Sequence, residues 1–195
     1  MVIVLPAASE WGAFSDREQA SHRFNGKIPV EGVIHIMKAL VDEEKAKFLG
    51  VSECDVDTLR RAVKIHPIQA YHIEYSPFSR NIEIPEVGLL ATCRELGNST
   101  VAYSPLGRGI MTRQYRSLDE CPEGDFRGTI PRFSTPENCD KNLVLVDAPK
   151  EIADRKNCTP NQLTLAWITA QGPDPLAIPG TKKIRYLEHD LELTA

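Results

Sequence analysis

Residues 48–103, FLGVSECDVDTLRRAVKIHPIQAYHIEYSPFSRNIEIPEVGLLATCRELGNSTVAY, alternate two kinds of segment. The opening FLGV is a short apolar run with the look of a strand. Asp55 then offers a side-chain oxygen as N-cap for a helix through about Lys64. Residues 70–75 read as a second strand, and residues 85–96 as a helix stopped by Gly97, whose missing Cβ tolerates the left-handed turn that ends helices. A third strand covers residues 101–103. Strands and helices alternating at this pace need right-handed crossovers and a parallel sheet. The fold class is therefore α/β, with either an open doubly wound sheet or part of a barrel.

The same rhythm holds toward the C-terminus. Thr159 as cap and Pro160 at the first helical position predict a helix to Gln171, followed by a strand at 176–178 and a last short helix from about Lys183. Upstream, Val30, Val33, Ile34, Met37, Leu40 and Val41 keep helical spacing over about 30–45, with Pro29 at the first helical position and Lys45 and Lys47 near the end. Residues 1–27 show no sustained period and carry a turn signal at Asn25-Gly26. Residues 104–141, rich in Pro, Gly, Arg and Asp, also lack a period, and a loop of that length in a compact domain points to function.

Composition narrows the classes. The chain has 195 residues, 42% of them hydrophobic, enough for one large domain or two small ones. A formal charge of −4, few aromatics and no basic stripe argue against nucleic acid as a partner. The five cysteines, 54, 93, 121, 139 and 158, form no C-x-x-C pair, which suits free thiols in a reducing, cytoplasmic compartment and gives no zinc or other metal site. The opening MVIVLPAAS has no basic flank, contains a proline and is too short to span a bilayer, so neither a signal peptide nor a membrane anchor is expected.

In parallel α/β folds ligands bind at the carboxyl ends of the strands. Four such ends stand out: Ser52-Glu53, His72 to Tyr75, TVAYSPLGRG at 100–109, and IPGTKK at 178–183. In the third, two glycines and Arg108 let the backbone approach a ligand, and its N–H groups and guanidinium can hold phosphate oxygens. In the fourth, a tight turn, a hydroxyl and two lysines precede a helix N-terminus, which suits a further phosphate. Each motif alone also makes an ordinary turn. The chain contains no G-x-x-x-x-G-K-[ST], H-E-x-x-H or G-x-S-x-G, so P-loop, zinc-protease and hydrolase readings have no support. Trp167, inside an apolar helix, reads as core.

Taken in order, FLGVSE (48–53), IEYSPFSR (73–80), LLATCRELG (89–97), VAYSPLGRG (101–109), DFRGTIPRF (125–133), EIADRKNCTPNQLTLAWITAQG (151–172) and IPGTKKIRYLE (178–188) resemble the C-terminal half of an aldo-keto reductase. The nearest flavour is the bacterial and fungal NADP-dependent branch that includes pyridoxal reductase-like enzymes. The resemblance implies a (β/α)₈ TIM-type barrel, here a partial one of about four βα units spanning residues 28–195, preceded by a divergent segment 1–27. It also implies hydride transfer from NADPH to a small-molecule aldehyde or ketone.

On the family pattern Tyr103 stacks on the nicotinamide and Ser52 hydrogen-bonds its carboxamide, beside His72. Ser104, Leu106, Gly107 and Arg108 lie along the pyrophosphate. Thr181, Lys182 and Lys183 sit near the adenosine 2′-phosphate, so NADP(H) is the implied cofactor. His22, in His22-Arg23-Phe24, matches the family's catalytic histidine. Departures accompany these matches: His72 stands where glutamine is expected, Glu53 where asparagine is common, and His189-Asp190 where Glu-Asn is usual.

Family catalysis also uses an aspartate, a tyrosine that donates the proton and a lysine, and nothing in residues 1–21 resembles the segments that carry them. A complete barrel takes roughly 250 residues. The implied half barrel would have impaired activity, or would be a non-catalytic remnant or interaction module with part of a cofactor platform. Its open strand edges would invite self-association.

Overall fold

A computed structural model of the chain describes residues 3–5, 28–112, 136–181 and 183–192. Five strands form one sheet in the order β1 (Ile3–Leu5), β2 (Phe48–Ser52), β3 (Ala70–Glu74), β4 (Ser99–Tyr103) and β5 (Pro175–Ala177). Strand β1 runs antiparallel to β2, with Ile3 opposite Gly50 and Leu5 opposite Phe48. Strands β2 and β3 are parallel, Ser52 lying opposite His72. Start-to-start and end-to-end bonds make the remaining pairs parallel too: Ser99 N donates to Gln69 O (2.9 Å) and Tyr75 N to Tyr103 O (3.4 Å), while Thr100 N donates to Asp174 O (3.0 Å) and Ile178 N to Ala102 O (3.1 Å). The expected parallel α/β sheet is thus present, extended by an antiparallel strand in the segment where the sequence shows no period.

The chain divides into two compact units. The first comprises residues 1–73, 81–101 and 174–176 and holds most of the sheet with α1 (Val30–Asp42), α2 (Val56–Ile65) and α3 (Leu89–Glu95). Its core includes Ile34, Leu49, Val51, Leu59 and Tyr71, each at most 1% exposed, and burial of a side chain of this kind stabilises by about 1.5–3 kcal/mol. Asp55 caps α2 as expected, accepting from Thr58 N at 2.7 Å, which holds its carboxyl below the usual range. A bidentate pair from Arg61 to Glu31 (2.7 and 2.8 Å) joins α2 to α1, and the guanidinium lowers the Glu31 carboxyl to about 2. Both side chains are solvent-accessible, so water screens most of that attraction.

Two expected boundaries shift, and Pro29 caps α1 rather than opening it. Helix α1 starts at Val30 with Pro29 as its cap and ends at Asp42, leaving Lys45 and Lys47 beyond it. The helix expected over 85–96 is only α3, because Gly88 at φ +61° sets a left-handed residue directly before Leu89 and a 3₁₀ turn occupies Asn81–Glu83. Gly97 ends it at φ +72°, as expected.

The second unit comprises residues 74–80, 102–173 and 177–195. It contains a 3₁₀ segment (Gly107–Thr112), α4 (Pro136–Lys156), α5 (Pro160–Thr169) and α6 (Ile184–Leu191). Helix α4 overturns part of the long loop expected over 104–141, since it begins at Pro136 and continues through Pro149. Motif 125–133 lies outside the described residues. Tyr75, Ala102, Met111, Ala153 and Ile168 are buried here. The Trp167 ring, expected in the core, is only half-buried: it packs against Tyr75 with centroids 5.4 Å apart, while the Arg80 guanidinium lies 5.7 Å from its centroid.

Candidate functional site

The second unit contains a cleft of about 870 Å³ built from three chain segments. The first is the end of β4 and its loop, where Tyr103, Ser104, Leu106 and Arg108 line the cleft. Ser104 (φ +48°), Gly107 (+56°), Arg108 (+58°) and Gly109 (+94°) are all left-handed, a bend that favours glycine at two of the four positions. Packing also requires Gly107, because a Cβ there would lie 2.9 Å from Ile110 Cγ2 and 3.3 Å from Met111 Cγ. The loop fastens itself: Gly107 N donates to Ser104 O (2.9 Å) and Gly109 N to Leu106 O (3.0 Å). Those two N–H groups, expected to meet phosphate, are therefore consumed internally, and the exposed Arg108 side chain is the cationic group that this segment presents.

The second segment follows β5. Thr181 Oγ1 accepts from Lys183 N at 3.1 Å, which orders the turn into α6. Lys183 Nζ lies 5.3 Å and Arg185 Cζ 4.8 Å from the centroid of the Tyr186 ring, and Arg185 Nη2 donates to Tyr186 Oη at 3.2 Å. Both cations lie within reach of the Tyr186 ring, whose negative π face attracts positive charge. Thr181, Lys183 and Tyr186 all line the cleft.

The third segment is the start of α5, with Thr159 and Asn161 on the cleft wall. Thr159 and Gln162 form a reciprocal capping box, Gln162 N donating to Thr159 Oγ1 (3.2 Å) and Thr159 N to Gln162 Oε1 (2.9 Å). Gln162 Nε2 also donates to His189 O at 3.2 Å, tying α5 to the end of α6. Beside that bond Asp190 lines the cleft with a buried Oδ1 that has no hydrogen-bond partner among the described residues. Burial raises its carboxyl above the usual range, and the neighbouring His189 counteracts this only in part. A buried acceptor without a donor among the described residues is one that ordered water, an ion or a ligand can meet.

Six of the sequence-derived residues, Tyr103, Ser104, Leu106, Arg108, Thr181 and Lys183, thus share one cleft, with Gly107 shaping its loop. Ser52 and His72 form a separate buried pair in the first unit, 2% and 9% exposed. Ser52 Oγ lies 3.0 Å from His72 Nδ1 and donates to His72 O at 3.1 Å, while Glu53 N, left-handed at φ +53°, donates to the same carbonyl at 3.1 Å. His22 and Lys182 lie outside the described residues. The sequence reading missed Tyr186, which sits in the first turn of α6 just after its N-cap Lys183. Thr159 was read only as a cap.

The profile of the Aldo/keto reductase family matches residues 20–195. The chain belongs to that family. It is 54% identical over 170 residues to aldo-keto reductase str7 of Strobilurus tenacellus, covering 87% of this chain and 50% of the relative. It is 48% identical over 169 residues to aldo-keto reductase yakc [NADP(+)] of Schizosaccharomyces pombe, covering 87% of this chain and 49% of the relative. The chain therefore spans about half the length of the curated relatives it matches.

Among solved structures, the glycerol dehydrogenase AKR11B4 from Gluconobacter oxydans superposes with a TM-score of 0.77 at 22% identity, over 87% of this chain and 50% of that one. An aldo-keto reductase from Klebsiella pneumoniae in complex with NADPH superposes with a TM-score of 0.62 at 24% identity, over 88% and 50%. At these identities the likeness shows the fold, α/β of the TIM-barrel type in part. Among the described residues no helix of this aldo/keto reductase family member is long and apolar enough to cross a membrane, and no group of three His, Cys, Asp or Glu side chains could hold a metal.

Proposed function

We propose that the chain is an NADP-dependent oxidoreductase of the aldo-keto reductase type. It would reduce a small aldehyde or ketone by hydride transfer from NADPH. The observation that carries this reading is the meeting, in one cleft, of the Arg108 loop with the Thr181–Lys183 turn. A dinucleotide with an extra phosphate needs separated cationic contacts and an acceptor for its base, and Arg108, Lys183 beside Arg185, and Asp190, whose Oδ1 has no partner among the described residues, are of that chemistry. The S. pombe relative is named for NADP(+), and the Klebsiella structure contains NADPH.

In this reading residues 28–195 correspond to the C-terminal half of the family barrel and residues 1–27 to a divergent segment. Ser104, Leu106, Gly107 and Arg108 follow the pyrophosphate, with Thr181, Lys182 and Lys183 at the 2′-phosphate. Tyr103 stacks on the nicotinamide, and His22 is the catalytic imidazole. A cytoplasmic setting accords with the free thiols of Cys54, Cys93 and Cys158. Self-association would draw on exposed apolar side chains such as Leu176, Ile178 and Ile184.

The sequence offers no match to the family's proton-donating tyrosine or to its aspartate and lysine. Carbonyl reduction by this chain alone would therefore lack a general acid contribution of about 10²–10⁴-fold. The same observation favours a second reading, a non-catalytic cofactor platform. Purified chain assayed with NADPH and 4-nitrobenzaldehyde separates the two: binding with slow turnover supports an impaired reductase, and binding without turnover supports the platform. Turnover at the rate of complete family members contradicts the impairment, and absence of NADPH binding contradicts both readings.

A further inference from the structure

Phe78 is not among the residues that line the cleft, yet its ring lies against the loop that presents Arg108 there. Residues 76–79, Ser-Pro-Phe-Ser, form a turn beyond β3 with proline at its second position, where a fixed φ favours the bend. Two backbone bonds close it, Ser76 N donating to Ser79 O (3.2 Å) and Ser79 N to Ser76 O (3.0 Å). Buried Ser76 also accepts through its Oγ from Phe78 N (3.2 Å) and Ser79 N (3.1 Å). Phe78 is thus fixed at its backbone. One residue before the turn, Tyr75 N donates to Tyr103 O (3.4 Å), which ties its base to the strand end from which the Arg108 loop departs.

That loop needs support from outside. Ser104 and Arg108 are left-handed although neither is glycine, a conformation that persists only where the surroundings enforce it. Gly107 is the point of contact. A Cβ there would lie 3.5 Å from Phe78 Cδ1, so the ring covers the face on which Gly107 carries no side chain. Ile110 and Met111 lie against the same glycine, but both belong to the segment that follows it, whereas Phe78 comes from a different strand end.

We propose that Phe78 is a positioning residue: its ring, held by the Ser76–Ser79 turn, braces the left-handed loop in the form that brings Arg108 to the cleft. The bracing is a property of this unit alone, and its effect on cofactor binding rests on the dinucleotide reading of the cleft. Loss of the ring lets the loop leave this form, and a loop that is competent about one tenth of the time binds about tenfold more weakly.

Hydrogen exchange without ligand tests the bracing. In Phe78→Ala the Gly107 and Gly109 amides are expected to exchange about tenfold faster than in wild type while α5 amides change by less than about twofold, and Phe78→Leu should restore slow exchange. Unchanged exchange at Gly107 and Gly109, or equal acceleration throughout α5, overturns the proposal. If Phe78→Ala does not fold, Ser76→Ala decides in the same way, because it keeps the ring and removes the hydroxyl that holds its backbone. Fluorescence titration with NADPH adds the functional arm: Phe78→Ala should bind about tenfold more weakly than wild type, and Phe78→Ala/Arg108→Ala no more weakly than Arg108→Ala alone. Wild-type affinity in folded Phe78→Ala overturns the proposal and leaves the dinucleotide reading standing. A wild-type chain that binds no NADPH overturns that reading instead, and the exchange result then decides the bracing alone.

Discussion

The two compact units differ in where their polar side chains gather, although each holds buried oxygens with no partner among the described residues, Asn98 Oδ1 and Thr100 Oγ1 in the first and Asp190 Oδ1 in the second. In the first, Ser52 and His72 are buried and bonded to each other, and the serine hydroxyl also reaches a carbonyl. In the second, Asp190 Oδ1 is buried with no partner among the described residues, and the cations Lys183 and Arg185 rest on the Tyr186 ring. Polar groups that satisfy one another define an architecture. Polar groups gathered around an open cleft mark a place that a ligand can fill.

The largest expected effect is in the first unit. Leu59 is fully buried, and Leu59→Ala should lower stability in urea by about 2–5 kcal/mol through lost burial and the cavity left behind. A loss below about 1 kcal/mol would mean that this core is looser than the burial of Leu59 implies.

Gly107→Ala comes next, in the second unit. A side chain at φ +56° is strained and its Cβ would press on Ile110 and Met111, so a destabilisation of about 1–3 kcal/mol is expected, with weaker quenching by NADPH. Wild-type quenching in this variant would separate the loop from the ligand site. Smaller again, Thr159→Ala removes one half of the capping box and should lower stability by about 1 kcal/mol in thermal unfolding. An unchanged melting temperature would show that the first turn of α5 does not depend on that hydroxyl.

The smallest effect concerns Asp190. Its carboxyl titrates higher in the folded chain than in the unfolded one because burial disfavours the charge. A raised acid binds its proton more readily when folded, so its favourable contribution is present below the unfolded value and disappears as pH rises through the folded value. Urea stability measured from about pH 4 to pH 7, the range above the ordinary aspartate value of about 3.9, should fall more steeply for wild type than for Asp190→Asn. Parallel profiles would contradict the burial assigned to this group.

Much of the fold was legible because its signals are local. Asp55, Gly97, Thr159 and Pro160 act within one helical turn of themselves, and each occupies its expected place. Strand β1 was not legible, since three residues acquire meaning only from β2, more than forty residues away in sequence. Helix α4 was hidden by Pro149 and by the consecutive apolar run Leu143 to Val146, which has no helical period.

At the site, the order of TVAYSPLGRG and IPGTKK foretold two of the three cleft segments. The internal use of the Gly107 and Gly109 N–H groups could not be read, because a glycine pair specifies a bend without specifying which carbonyls close it. Nor could the Lys183–Tyr186–Arg185 stack be anticipated without the turn that Thr181 orders.

The central claim, that the second unit's cleft takes a phosphorylated dinucleotide through its cationic side chains, is tested most directly by titrating the chain with NADPH and with NADH and following protein fluorescence at low salt. NADPH is expected to bind about tenfold or more tightly, the scale of one charge-assisted contact, and the preference should vanish in Lys183→Ala. Equal affinity for the two cofactors, or a preference that Lys183→Ala leaves intact, would contradict it.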